Sequence, residues 1–261
     1  MNSESGILVV SFGCSYERAR KKSIDQIEYE IQQTYPEYSV YQAFTSSRII
    51  KKLKEKGIRI NDVEKALEKM QDDGLKRVIV QPTCIIHGLE FEQVCKRIEA
   101  YRQAFEGLYI GGPLLTSIED YFEVIEAFVS EMDKVQEDEV ILCMGHGGEH
   151  FMSVSYAALD YMFKDRGYEN IYVAAIDSFP RLEDVMKHFN KKGYKRVRII
   201  PFTLVAGYHV QKSMVEQGEE NWEFKLKNAG YEVKCVFKGL GEYKKIRDIY
   251  RRRIGVFMGT L

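Results

Sequence analysis

The stretch "CMGHGGEH", residues 143 to 150, places two of the chain's five histidines and three glycines at the end of the apolar run "VILCMG" (140–145). A histidine that leaves a strand inside a glycine-rich turn is uncrowded. His146 can therefore offer its imidazole to a proton or a divalent metal near neutral pH. The same placement occurs at two further strand ends. His209 follows "PFTLVAG" at the entry to a helix around "VQKSMVEQ", and Asp177 follows "IYVAAI". Two imidazoles and a carboxylate suit a first-row divalent ion. Plainer readings compete with this one. His146 can be a surface residue, His209 a helix cap, and Asp177 an N-cap, since "DSFPRLEDV" opens a helix with Pro near its first turn. A phosphate-cradling turn is disfavoured, because "GHGGEH" lacks both the Walker Lys-Ser/Thr and the GxGxxG spacing. Glu149 and His150 read as polar groups of the next first turn, and His188 in "VMKHFNKKG" as helix surface. There is no GxSxG elbow, Cys143 sits in the apolar part of its strand, and Cys14 has no base beside it in sequence. Acyl transfer is unsupported.

The elements that must carry these residues are short β-branched runs alternating with longer stretches of helical period. Eight strands are predicted: "ILVVSF" (7–12), "YSVYQAF" (38–44), "RVIVQP" (77–82), "LYIGG" (108–112), "VILCMG" (140–145), "IYVAAI" (171–176), "VRIIPF" (197–202) and "YEVKCVF" (231–237). Between them, segments such as "DYFEVIEAFVSEMDKV" repeat apolar residues at three and four, as amphipathic helices do. Strands of near-continuous apolar character alternating with helices predict an α/β fold with parallel sheets covered on both faces. The expected hinge is "GGPLLTS" (111–117).

An internal repeat sharpens this expectation. "GLKRVIVQPTCIIHGLEF" (74–91) lies on "GYKRVRIIPFTLVAGYHV" (193–210) without a gap, setting Glu90 on His209. "ILVVSFGCS" falls near "VILCMGHGG", and "AFTSS" (43–47) on "AIDSF" (175–179), each at a slightly larger offset. The chain reads as a duplicated α/β unit, with lobes at 1–115 and 116–242. Ligands of parallel α/β sheets collect at the carboxyl ends of strands. A cleft between the lobes would then set Ser11 and Gly13 opposite His146, Thr45 opposite Asp177, and Glu90 opposite His209. His87 lies near Glu90 and is a candidate for lining the same cleft.

Composition excludes several alternatives. A chain of 261 residues is long enough for two lobes with separate cores. Its 38 basic and 39 acidic residues leave a net charge of -1, so no long-range field steers nucleic acid or a membrane surface. Five scattered cysteines without a CxxC pair argue against a disulfide framework and a Cys-rich zinc site, and fit a reducing cytosol. No run approaches the roughly 18 apolar residues of a spanning helix. A soluble, untargeted, cytoplasmic protein is expected.

Taken together, "LVVSFGCSY" at the start, "AFTSSRIIKKL" (43–53), "GHG" (145–147), "PFTLVAGYH" (201–209), and "NWEFKLKNAGYEV" with "GLGE" (221–242) give a resemblance nearly end to end. The chain resembles the class II tetrapyrrole metallochelatases, specifically the anaerobic sirohydrochlorin cobalt chelatases. The resemblance implies a lyase-type, ATP-independent enzyme that inserts Co2+ into sirohydrochlorin, or precorrin-2, on the route to cobalamin (vitamin B12). It implies His146 and His209 as catalytic proton acceptors and, with Asp177, as metal ligands. Asp177 stands where typical members carry Glu. Tyr208 and His87 stand where Asp and Asn are usual. Ser11, Gly13, Thr45, His87 and Glu90 are the candidate substrate-binding residues, while Ser15, Ser46 and Arg48 could meet substrate carboxylates or simply cap helices. No cofactor is implied beyond the substrate metal, with Fe2+, Ni2+ or Zn2+ as in vitro substitutes. A homo-oligomer is left open. The alternative is a chelatase for Fe2+ or Ni2+, or a non-catalytic metal- or tetrapyrrole-binding carrier. The terminal helix, 243–261, is expected to join the first lobe, which its apolar spacing allows.

Overall fold

The computed structural model describes residues 4–216 and 218–258. Residues 1–3 of the expected first lobe, Gln217 of the expected helix around "VQKSMVEQ", and residues 259–261 of the terminal helix lie outside the described residues. All eight expected strands form, with ends shifted by no more than two residues. They are β1 (Ser5–Ser11), β2 (Ser39–Phe44), β3 (Arg77–Pro82), β4 (Gly107–Ile110), β5 (Glu139–Gly145), β6 (Ile171–Ala175), β7 (Arg196–Pro201) and β8 (Glu232–Cys235). They make two parallel four-stranded sheets of order β2-β1-β3-β4 and β6-β5-β7-β8. Adding four to each strand number turns one order into the other, which is the signature of the duplication.

The chain divides into two units, Met1–Thr116 with Lys244–Leu261, and Ser117–Tyr243. Helix Ile118–Ser130, which follows the first repeat in sequence, belongs to the second unit. Helix Lys244–Met258, which follows the second repeat, belongs to the first. In the first unit, alternate residues Leu8, Val10, Val78 and Val80 meet Val63, Leu67, Met70, Val94 and Ile98 from two helices. The other sheet face is covered by helix Ile24–Thr34 and the terminal helix, whose Ile246, Ile249, Tyr250 and Ile254 are buried. The Tyr250 hydroxyl donates to the Thr83 carbonyl at 3.0 Å, so the buried face of this amphipathic helix also satisfies a buried backbone acceptor.

In the second unit, Val140, Leu142, Met144, Val197 and Ile199 pack on Leu182, Val185, Phe189, Val210, Met214, Trp222 and Leu226. Phe128, Phe163 and Phe202 form an edge-to-face aromatic cluster, with ring centroids 5.5 to 6.5 Å apart. β5 is the strand to follow, because it pairs with β6 on one side and β7 on the other. At its first residue, Glu139 takes a bidentate ion pair from Arg198 of β7, at 2.9 and 2.7 Å. Arg198 also donates to the carbonyls of Asp133 and Lys134, and both charged side chains are about 6% exposed. Burying two charges is costly, and hydrogen bonding of nearly the whole guanidinium offsets that cost.

This buried pair fixes the shared register of the two strands whose carboxyl ends lead to His146 and His209. Glu139→Ala is expected to destabilise the protein by about 3 to 5 kcal/mol, because it strands a buried guanidinium. Urea or thermal unfolding measures this, and a loss of less than about 1 kcal/mol would show that water reaches Arg198.

Candidate functional site

At the carboxyl end of β5 the chain turns through Gly145, His146 and Gly147. The turn is tied to the end of β6 by two backbone hydrogen bonds, Ile176 N–H to the Gly145 carbonyl at 3.0 Å and Asp177 N–H to the His146 carbonyl at 2.9 Å. Gly147 has φ +81°, and a Cβ there would lie 2.5 Å from Ser178 Oγ and 2.8 Å from the Ser178 backbone nitrogen. Only glycine allows this turn to sit against the loop that carries Asp177. As a result His146 Nδ1 is 3.8 Å from Asp177 Oδ2, with both side chains more than half exposed. At that exposure the pair contributes almost nothing to stability. Its significance is chemical.

The Nδ1 atom of His146 is also 3.3 Å from the Gly147 carbonyl oxygen. A carbonyl can only accept, and the carboxylate lies on the same side of the ring. Both acceptors favour the proton on Nδ1 and leave the Nε2 lone pair free. The His209 ring stands 6.4 Å from that of His146, centroid to centroid, inclined at 73°. His209 is the second residue of helix Tyr208–Gln211, beside Tyr208, whose ring is 5.6 Å away. That helix runs into a π-helical turn, Lys212–Glu216, in place of the regular helix expected there.

The structure thus brings His146, Asp177 and His209 to neighbouring strand ends of one sheet. Among the described residues, however, no group of three His, Cys, Asp or Glu side chains is close enough to hold a metal ion. Of the expected metal-binding residues, the two imidazoles stand as neighbouring rings and the Asp177 carboxylate lies on the Nδ1 side of one of them. The N-cap reading of Asp177 is also corrected, since helix Leu182–Phe189 begins five residues later, with Arg181 at its N-cap.

In the first unit, Thr45 Oγ1 donates to Glu90 Oε1 at 3.2 Å, and Glu90 lies in the first turn of helix Leu89–Glu99. His87 is exposed, its ring edge-to-face with Phe91 at 4.6 Å. Gly13, at φ +99°, turns the chain against the Phe44 ring. Ser11 is buried, and its hydroxyl accepts from Thr83 at 2.9 Å, so it locks β1 to the end of β3 instead of facing solvent. Ser46 caps helix Ser47–Glu55, accepting from the Ile49 N–H. His150 accepts from the Met152 N–H at the start of a short 3-10 turn, and His188 is exposed on its helix, as expected. Burial raises the thiol pKa of both Cys14 and Cys143, which removes them as nucleophiles.

Hydrogen bonding also corrects the repeat by one residue. Val10 pairs with Pro82 as Met144 pairs with Pro201, and Ser46 N–H bonds to the Phe12 carbonyl as Asp177 N–H bonds to that of His146. Phe12, not Gly13, occupies the place of His146, and Ser46, not Thr45, that of Asp177. The match of Glu90 to His209 holds, because both follow an N-cap glycine as the second residue of a helix.

The sequence matches the Cobalt chelatase (CbiK) family model over residues 5–258. The chain belongs to this family. It is 32% identical over 248 residues to a Salmonella typhimurium protein named sirohydrochlorin cobaltochelatase, covering 95% of this chain and 94% of that one. It is 27% identical over 250 residues to sirohydrochlorin cobaltochelatase CbiKC of Nitratidesulfovibrio vulgaris, covering 95% and 88%. Among solved structures, SirB from Bacillus subtilis with Fe3+ has the same fold, at a TM-score of 0.69 and 13% identity over 96% of this chain and 94% of that one.

For a cobalt chelatase the loop before His209 matters as much as the histidine. Leu240 N–H and Gly241 N–H donate to the carbonyls of Thr203 and Leu204, at 2.8 and 2.9 Å. A Cβ on Gly239 would stand 2.6 to 2.8 Å from backbone atoms of Leu204, Val205 and Ala206. The first glycine of "GLGE" therefore braces the His209 loop, a role that only packing reveals. Backbone cannot yield as a side-chain tip does. Gly239→Ala is therefore expected to destabilise by about 1 to 3 kcal/mol and to lower the activity that depends on His209. Parallel melting and turnover measurements test it, and an unchanged melting temperature would mean that the loop moves freely.

Proposed function

We infer that this protein is a sirohydrochlorin cobaltochelatase, a lyase-type enzyme that inserts Co2+ into sirohydrochlorin in cobalamin biosynthesis, without ATP. The observation that carries the mechanism is the pair of exposed imidazoles, His146 and His209, at neighbouring strand ends of one sheet in a cobalt chelatase chain. Metallation exchanges two pyrrolic N–H protons for one divalent ion, so the reaction needs two proton acceptors, a role imidazole suits. His146 and His209 supply them. The Nε2 atom of His146 accepts a proton or touches the entering Co2+. Asp177, on the Nδ1 side, then faces the imidazolium that forms and stabilises it. Asp177 also contacts the metal, directly or through water, as the weaker third donor. The ion is a substrate and leaves in the product. Thr45, His87 and Glu90 supply polar contacts to the tetrapyrrole.

Anaerobic metallation followed by the visible spectrum of sirohydrochlorin, with Co2+, Fe2+, Ni2+ and Zn2+ in turn, tests this reading. Multiple turnovers with Co2+ support an enzyme, whereas a single stoichiometric binding event would indicate a carrier. His146→Ala and His209→Ala should each cost about 100-fold or more in kcat, the range for a lost general base, with the fold retained. Asp177→Ala should cost less than either, and Asp177→Glu should be tolerated. Wild-type turnover in both histidine variants would overturn the assignment.

A further inference from the structure

Building on that reading, the second unit contains a device that sets the position of His146 from beneath. Gly145 ends β5 without a positive φ, so its backbone would accept any residue. Its need for glycine lies elsewhere. A Cβ at position 145 would stand 2.3, 2.6 and 2.8 Å from Cε1, Cδ1 and Cζ of Tyr156, on helix Ser155–Asp165. Tyr156 is 3% exposed, so its ring has no room to retreat. The Tyr156 hydroxyl accepts hydrogen bonds from the backbone N–H groups of Gly147 and His146. One side chain thus touches all three residues of the Gly-His-Gly turn.

The chain contains its own control. Ser11 holds in the first sheet the place of Gly145 in the second, and there a Cβ is accommodated. The Ser11 hydroxyl accepts from Thr83, which follows β3 as Phe202 follows β7. The strand end does not demand glycine. The tyrosine does.

We propose that Tyr156 is the positioning residue of His146, its ring setting the depth of Gly145 and its hydroxyl fixing the peptide that carries the imidazole. It touches neither metal nor tetrapyrrole in this role.

The test compares three full-length variants by turnover, by melting temperature and by NMR of the His146 imidazole, assigned through its loss in His146→Ala. Tyr156→Phe keeps the ring and removes the acceptor. It should shift or broaden the His146 resonance and lower kcat about tenfold, with KM for sirohydrochlorin within about twofold of wild type. Gly145→Ala should cost about 100-fold in kcat, because misplacement by on the order of 1 Å is enough. Adding Tyr156→Val to Gly145→Ala should recover at least about fivefold, since it removes the obstructing ring. A Tyr156→Phe protein with wild-type kcat and an unmoved His146 resonance would overturn the proposal. So would a double variant no better than Gly145→Ala alone. If the wild-type protein fails to insert cobalt, the functional reading falls and the NMR comparison still decides whether Tyr156 positions His146.

Discussion

Everything at the candidate site hangs on the hydrogen-bond ladder of β5, which is paired with β6 on one edge and β7 on the other. A parallel register is all-or-none, because a slip of one residue would send every side chain to the opposite face. The register of β5 with β6 places Asp177 N–H on the His146 carbonyl, and its register with β7 carries the chain into the His209 loop. The three chemical groups need no direct contacts to find one another. Their proximity is a property of the sheet, and the buried Arg198–Glu139 pair at the opposite end of the same strands holds it. A rigid base and an exposed tip are what a site needs if it must keep its geometry while its side chains stay free for substrate.

Duplication supplied two such sheets, and divergence gave them different chemistry. At the place of His146 the first unit has Phe12, half exposed and apolar. At the place of Asp177 it has Ser46, absorbed into a helix cap. At the place of His209 it has Glu90, an acid hydrogen-bonded to Thr45. Of these three paired places, imidazoles therefore occupy two in the second unit and none in the first. The fold constrains where side chains emerge and leaves their identity open, which is why function resides in the site and not in the architecture.

The sequence was most legible where local pattern and global fold agree. Eight apolar runs became eight strands, because a buried parallel strand must be nearly all apolar, and the 74–91 and 193–210 match found equivalent helix starts. The other two matches slipped by one residue. The segments joining β1 to β2 and β5 to β6 differ in length, and similarity of short polar runs cannot see such a difference. Ser11 looked like a cleft residue because strand ends usually are exposed, but a threonine from β3 claimed its hydroxyl. Tyr156 left no signal at all. The glycines it constrains were plain in "GHG", yet the ring that forces one of them lies a helix away in sequence, and only packing connects the two.

The looseness of the three-group arrangement is itself instructive. Structural zinc sites close completely around their ion and bind it by about 10 to 16 kcal/mol. A chelatase with such a site would have to return that energy in each cycle, since binding that is equally strong before and during the reaction does not accelerate it. Here His146 and His209 are separated by 6.4 Å between ring centres, and the Asp177 carboxylate is 3.8 Å from His146 Nδ1. Both rings are exposed, so each is open to a substrate that approaches the strand ends. The position of the His146 imidazole is set by the backbone of its own turn, which is bonded to the end of β6 and seated against Ser178.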